Sequence, residues 1–283
     1  MVVFTPDRVN LISAGIVLYN PDISRLQENM NAIHPQVDFL ILIDNASENI
    51  NEIESVTRDF EKVVLLKNDK NYGIATALNQ IVQYSSSKFS EWVLLLDQDS
   101  IVPKNMIEQF SKYRTIDSVG IITPRIVDRN YLEEAKNDSE TAYIEMCITS
   151  GSFINISLFK KIGGFDEKMF IDFVDFEYCA RVRKANYKIL RINSVVLLHQ
   201  LGSMKVYRIL GKTIRVTNHS SLRHYYYTRN TVYYYKKHKD LLEKTYPGLT
   251  TLKKVAKILA FENKKTEKIK CVFKGLIDGA KMV

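Results

Sequence analysis

The chain has 283 residues, 46% of them hydrophobic and 11% aromatic, enough apolar material for one large α/β domain or a domain with an appendage, and this excludes a chain dominated by disorder. The net charge of +8 is unevenly placed: residues 1–235 carry 27 Lys+Arg against 27 Asp+Glu, whereas residues 236–283 carry 13 Lys against 5 acids, which marks the tail as a module facing an anionic partner. No apolar run reaches the roughly 18–20 residues that a spanning helix needs. Cys147, Cys179 and Cys271 lack CxxC spacing and read as buried thiols of a cytosolic protein, and no signal peptide is expected.

Four apolar runs bounded by turn residues open the chain: LISAGIVLYN (11–20), DFLILIDN (38–45), KVVLLKN (62–68) and EWVLLLDQD (91–99). They read as buried parallel strands. Helical stretches at 23–33, 47–60 and 73–84 separate them, and this alternation predicts an α/β fold with a parallel sheet covered on both faces. Polar residues gather where the strands end: Tyr19 and Asn20, Asp44 and Asn45, Asn68 and Asp69, Asp97 and Asp99. In an open α/β sheet that edge binds ligands.

A further strand, VGIITPRIV (119–127), precedes a polar surface loop (128–140) and a strand-like stretch, TAYIEMCITSGSFINI (141–156). A helix starts at Ser157, a Gly163-Gly164 turn follows, and the helical run DFEYCARVRKAN leads to the strands YKILRI and SVVLLHQLG (194–202). From about 219 the chain becomes an aromatic, basic helix and then a second helix with Leu252, Val255, Ile258 and Leu259 on one face. The boundary is expected between 215 and 220. It separates a catalytic domain (1–218, halves of about 1–100 and 101–218) from a helical extension (219–283).

The sharpest motif is Asp97-Gln98-Asp99 at the end of a buried strand, where two carboxylates can address one hard cation. Two aspartates in a surface turn are the plain alternative. Asp44 also ends a buried strand; it can cap a helix or bind a base or ribose. Asn71-Tyr72-Gly73, followed by Ala75, Ala77 and Asn79, lets a helix start close to a nucleotide or pack tightly on the sheet. Ser150-Gly151-Ser152 precedes a block holding Asp172, Asp175 and Glu177 among aromatics. A carboxylate there can take a proton from an attacking hydroxyl, or cap the helix that follows.

In order, the blocks IVLYNP, LIDNAS, NYGIATALN, LLLDQDS, SGSFINISLFKKIGGFDE, FIDFVDFEYCARV and LLHQLG resemble the family 2 inverting glycosyltransferases of GT-A fold, and within them the bacterial rhamnosyltransferases. The resemblance covers about residues 12–235. It implies that Asp44 reads the nucleoside, with Tyr19, Asn20, Asn71, Gly73, Asn79, Gln98 and Arg229 around the donor nucleotide. Asp97 and Asp99, joined by His199, would sit at the diphosphate and a Mg²⁺ or Mn²⁺ ion. Ser150, Gly151, Ser152 and Asp172 would face the acceptor or the sugar. The base would be Asp175, with Asp172 as the alternative, because many members carry a Glu-Asp pair where this chain has Val174-Asp175. The implied donor is dTDP-β-L-rhamnose and the acceptor a cell-surface polysaccharide or a lipid-linked saccharide. A UDP-hexose or UDP-N-acetylhexosamine donor is the alternative within the fold.

From other classes, a nucleotidyltransferase would carry a Gly-rich basic loop after the first strand, and Tyr19-Asn20-Pro21-Asp22 is not one. A non-catalytic carbohydrate-binding module would not need both acid pairs. Nucleic acid is not expected as a partner, since the lysines lack a stacking platform. The tail either lies on an anionic membrane surface, at the cytoplasmic face, or packs on the catalytic domain or a second copy in a homodimer.

Overall fold

A computed structural model describes residues 11–128, 139–199, 205–209, 212–216, 218–242 and 247–283. The first half alternates as the apolar runs predict. Strand β1 (Ile12–Leu18), helix α1 (Ile23–Ile33), β2 (Phe39–Asp44), α2 (Ile50–Thr57), β3 (Val63–Lys67), α3 (Ile74–Ser87) and β4 (Trp92–Asp97) follow one another. All four strands are parallel neighbours in the order β3-β2-β1-β4. At Gly15 a Cβ would lie 2.2 Å from the Ile81 side chain, so the close seat of α3 on β1 requires glycine there.

The second half continues with α4 (Met106–Ser111), β5 (Val119–Asp128), β6 (Thr141–Ile144), β7 (Ser152–Asn155), α5 (Ile156–Ile162), α6 (Val174–Lys184) and β8 (Lys188–His199). Here the expectation needs correcting. The stretch 141–156 forms two strands, with β6 at the sheet's far edge beside β8 and β7 between β4 and β5; both run antiparallel to their neighbours. The two runs expected after Tyr187 are one strand, β8, which stays in step with β5 through a register shift at Pro124/Arg125. The loop expected at 128–140 and the end of the run at 200–202 lie largely or wholly outside the described residues. A hairpin of β9 (Lys205–Ile209) and β10 (Lys212–Val216), which no pattern announced, precedes the extension.

The extension contains α7 (Ser221–Lys237), α8 (Pro247–Phe261) and α9 (Lys265–Lys281). The core has two apolar layers, one on each face of the sheet. Leu26, Met30 and Phe110 belong to one, and Ile81, Leu158 and Tyr178 to the other. Tyr233 and Tyr234 of α7 belong to the second layer, so α7 completes the core of the sheet domain. The apolar stripe expected on α8 does not bury as a unit: Ile258 is buried, but Leu252 and Leu259 are 65% and 51% exposed.

Candidate active site

The chain leaves β1 towards β2 on one side and later returns to β4 on the other, so loops diverge at the C-terminal end of β1 and open a crevice. The register sets carboxylates on both flanks of that end, with Leu18 opposite Asp44 and Val17 opposite Asp97. Asp44 is buried; its Oδ2 accepts the Ser47 N–H at 3.1 Å, while its Oδ1 has no partner. It does not cap α2, whose N-cap is Asn49. A buried acceptor left bare costs about 1–3 kcal/mol, which a bound N–H or O–H would relieve.

Several expected donor residues build the walls of the crevice. Gln98 Oε1 accepts the Tyr19 N–H at 2.9 Å and clamps the ends of β1 and β4 together, leaving the Tyr19 ring half exposed. Asn20 adopts a left-handed φ of 47°. Its N–H donates to Ser47 Oγ, and its Oδ1 accepts the Glu48 N–H. Asn71 Oδ1 accepts the Gly73 N–H at 2.9 Å. Gly73 has φ 86°, and a Cβ there would stand 2.6 Å from the Phe170 carbonyl oxygen. Asn79 is a correction: its amide donates to Phe165 O and Glu167 Oε1 and accepts the Phe165 N–H, so it ties α3 to the 163–170 loop. The linked amides Asn45, Asn68 and Gln80 hold the Gly73 turn from behind. Only the polar strand ends hinted at these.

The turn carrying Asp97 and Asp99 rests on a buried floor. Ser150 Oγ accepts the Asp97 N–H at 3.2 Å and shares a 2.6 Å hydrogen bond with Ser100 Oγ. The Gly151 N–H donates to Leu95 O, and its φ of 84° leaves no room for a side chain beside Pro124 and Leu197. Ser152 donates to Ile148 O at 2.6 Å. These three were expected at the acceptor or the sugar; instead Ser150 and Ser152 are buried and Ser150-Gly151-Ser152 support the turn. The bridge between Ile101 and Leu198 brings the backbone next to His199 alongside the same turn, while the His199 side chain lies outside the described residues. Among the described residues no three His, Cys, Asp or Glu side chains are grouped to hold a metal.

The acidic block enters from the other side. Asp172 and Phe173 take consecutive left-handed conformations, φ 66° and 67°, at a cost of about 1–3 kcal/mol each. Asn230 holds this bend by donating to Ile171 O and Asp172 O. Arg229, expected to clamp phosphate, donates to Lys168 O and Asn230 Oδ1 and lies over the Tyr226 ring, so its guanidinium is committed to the same bend. Asp172 Oδ1 pairs with Arg223 at 3.1 Å, and its Oδ2 is buried without a partner.

Asp175, in the first turn of α6, is half-buried, and its Oδ1 accepts the Phe176 N–H at 2.9 Å. Burial, with the neighbouring charges of Asp97 and Asp172, raises its pKa to about 7 against the pull of that N–H. Asp97 of β4 and Asp172 therefore lie near enough for their charges to act on Asp175. Glu177, one turn fragment further, has a different task. Although burial opposes it, contacts from His238, Arg181 and Lys237 hold its pKa at about 2. It locks α6 to α7. Cys147 and Cys179, distant in sequence, meet with Sγ atoms 3.7 Å apart.

This architecture is shared with known proteins. The chain is 29% identical over 285 residues to the dTDP-rhamnosyl transferase RfbF of Shigella flexneri, covering 95% of each. The structure of residues 1–349 of S. aureus TarS superimposes with a TM-score of 0.61 at 14% identity, covering 96% of this chain and 81% of that one. GalNAc-T7 with UDP, GalNAc and Mn²⁺ gives 0.57 at 18% identity, covering 80% of this chain and half of its own length. These likenesses show the GT-A fold. The glycosyl transferase family 2 model matches residues 13–188, more than half the chain, and the protein, a glycosyltransferase, belongs to that family.

Proposed function

We propose that the protein transfers L-rhamnose from dTDP-β-L-rhamnose to a saccharide acceptor in a single in-line displacement with inversion, Asp175 acting as the base. One observation carries the reading of the site: Asp175, in the second half of the chain, lies within electrostatic reach of Asp97 at the end of β4 and of Asp172. The choice of donor is supported by the relation to a dTDP-rhamnosyl transferase along nearly the whole chain.

Asp175 is preferred to Asp172 on its partners. Asp172 is paired with Arg223 at 3.1 Å, whereas Asp175 forms no ion pair among the described residues. It can therefore accept the acceptor hydroxyl's proton as that oxygen attacks the anomeric carbon. Asp44 Oδ1 would accept from the base or ribose, and the exposed Tyr19 ring would lie against the nucleoside. Asp97 and Asp99 fit a Mg²⁺ or Mn²⁺ ion, since carboxylates two apart at a strand end suit a hard cation. When bound, the ion would neutralise charge on the departing diphosphate.

The acceptor reading is a cell-surface polysaccharide or lipid-linked saccharide, with the enzyme on the cytoplasmic face of a bacterial membrane. No helix of the described residues is long and apolar enough to cross a membrane. The exposed Leu252, Leu259, Phe273 and Ile277 among the tail lysines support contact with an anionic surface. A donor panel with purified protein tests the function. Transfer from dTDP-rhamnose with inverted product is the expected outcome; transfer from UDP-sugars alone would overturn the rhamnose assignment.

A further inference from the structure

Cys147 and Cys179 are free thiols 32 residues apart in sequence, and they meet at the apolar layer that holds Ile81 and Tyr178. Their Sγ atoms stand 3.7 Å apart, against about 2.05 Å in a disulfide. The two differ in access. Cys179 is buried, and its Sγ donates to Cys147 O at 3.7 Å. The Cys147 thiol beside it, together with burial, holds this thiol protonated, its pKa well above the ordinary range. Cys147 is only half-buried, next to Met146, which is exposed, and Glu145, whose side chain is 74% exposed. A small oxidant therefore reaches Cys147 first, and Cys179 is left as the thiol that closes the pair.

The two sulfurs are anchored unequally. Cys179 is on α6, one helical turn beyond Asp175, and α6 is fixed by Glu177, whose carboxylate binds Arg181, Lys237 and His238. Cys147 lies in the connection 145–151 between β6 and β7, which has no helix or strand of its own. Closing the gap to bonding distance, a movement of roughly 1.7 Å, therefore falls on that connection. Cys147 Sγ would then leave Ser152 Oγ, now 3.3 Å away. Ser152 Oγ donates to Ile148 O, and Ser150 Oγ accepts the Asp97 N–H and shares a hydrogen bond with Ser100 Oγ. The segment that must move is the floor under the Asp97–Asp99 turn.

We propose that Cys147 and Cys179 are a redox modification site: they form a reversible disulfide that loosens the Asp97–Asp99 turn and lowers transfer. With a peroxide as the oxidant, the Cys147 thiolate attacks one peroxide oxygen and the O–O bond breaks. The sulfur becomes a sulfenic acid, and the other oxygen leaves as hydroxide and takes up a proton. The Cys179 sulfur then displaces the hydroxyl from the Cys147 sulfur. The S–S bond forms, and the Cys179 proton leaves with that oxygen as a second water. The sulfurs give up two electrons and the peroxide takes both. A dithiol returns two electrons and two protons and restores both thiols. Formation of the bond rests on the placement of the thiols alone; its effect on transfer rests on the Asp97–Asp99 turn holding the donor, as proposed above.

The test treats the full chain with hydrogen peroxide, blocks the remaining thiols and maps the peptides by mass. A Cys147–Cys179 linkage that dithiothreitol reverses is expected. In the oxidised protein, transfer from dTDP-rhamnose should fall by about tenfold, as for one hydrogen bond lost under the turn. Binding of dTDP in the presence of Mg²⁺ should weaken with it, and dithiothreitol should restore both. Cys271→Ser should respond as the parent does. Cys147→Ser, a change at a half-buried position, and Cys179→Ala should each keep the transfer rate of their own reduced form after peroxide. No Cys147–Cys179 linkage, or a Cys147→Ser protein inactivated as strongly as the parent, would overturn the proposal; so would a linkage that leaves transfer and dTDP binding unchanged. A reduced protein that binds no dTDP would bring down the proposed function, and the effect on transfer with it, whereas the peptide map decides the linkage by itself.

Discussion

Asp175 is held in an environment that resists its charge, which has opposite consequences for catalysis and for stability. Asp175→Asn should reduce transfer by about 10²–10⁴-fold, as expected for a lost general base, with dTDP binding nearly unchanged. The same change removes a charge beside Asp97 and Asp172 and should stabilise the fold by about 1 kcal/mol, seen as a small rise in Tm. Equal loss of dTDP binding would show Asp175 to be structural. Because the base works only when ionised, kcat/KM should fall as pH drops through its pKa. In Asp172→Asn one of the like charges that raise that pKa is gone and Arg223 is released, so the acid limb should move to lower pH; an unmoved limb would separate the two residues. Glu177 behaves in the reverse sense. Its folded pKa of about 2 lies below the ordinary value, so its contribution is present above about pH 4.3 and is lost as pH falls towards 2. Glu177→Gln breaks a buried network and should cost about 3–5 kcal/mol in denaturant unfolding at neutral pH.

At the level of strands and helices, what could be read from sequence follows how each element is buried. Strands β1, β2 and β4 are buried on both faces, so their apolar runs and the helices between them stand out, while β3 at the sheet edge is only partly buried; Asp44 and Asp97 are marked as strand ends by the same contrast. The pattern did not separate β6 from β7, since both fall in one strand-like string and their placement on different sides of β5 and β8 depends on pairing far along the chain. Helix α7 hides its role in another way: it buries Thr228, Asn230 and Thr231, polar residues that a periodicity count places outside. Arg229 therefore read as a phosphate clamp although it binds the protein's own backbone. Gly73 shows how tightly these elements meet. Gly73→Ala would force a Cβ against the Phe170 carbonyl at a left-handed φ, and it should lower stability by about 2 kcal/mol or more and weaken dTDP binding, both measurable on purified protein. A neutral effect would mean that α3 and the 170 loop move apart freely.

Across the whole molecule, charge and apolar surface coincide on the extension. The lysine excess lies on residues 236–283, the same region that exposes Leu252, Leu259, Phe273 and Ile277. Truncation would be a poor probe of this surface, because α9 buries Val272 and its two glycines against α7. The double substitution Leu252→Glu with Phe273→Glu leaves that contact in place. It should reduce cosedimentation with anionic vesicles by about tenfold or more, since each change removes an inserting group and adds repulsion, while thermal stability stays within about 0.5 kcal/mol of the parent. Undiminished vesicle binding would reject the membrane surface.

Helix α9 seats its glycines so closely that a Cβ at Gly275 would lie 2.6 Å from Tyr225 O and one at Gly279 2.5 Å from Arg229 O. Arg229 and Asn230, in the same stretch of α7, fasten the bend at Asp172. The order of manufacture then matters. A ribosome delivers the strands of the sheet first, but the bend before Asp175 lacks its full backing until residues 265–281 have cleared the exit tunnel. The carboxylate proposed as base is thus among the last parts of the molecule to be set in place.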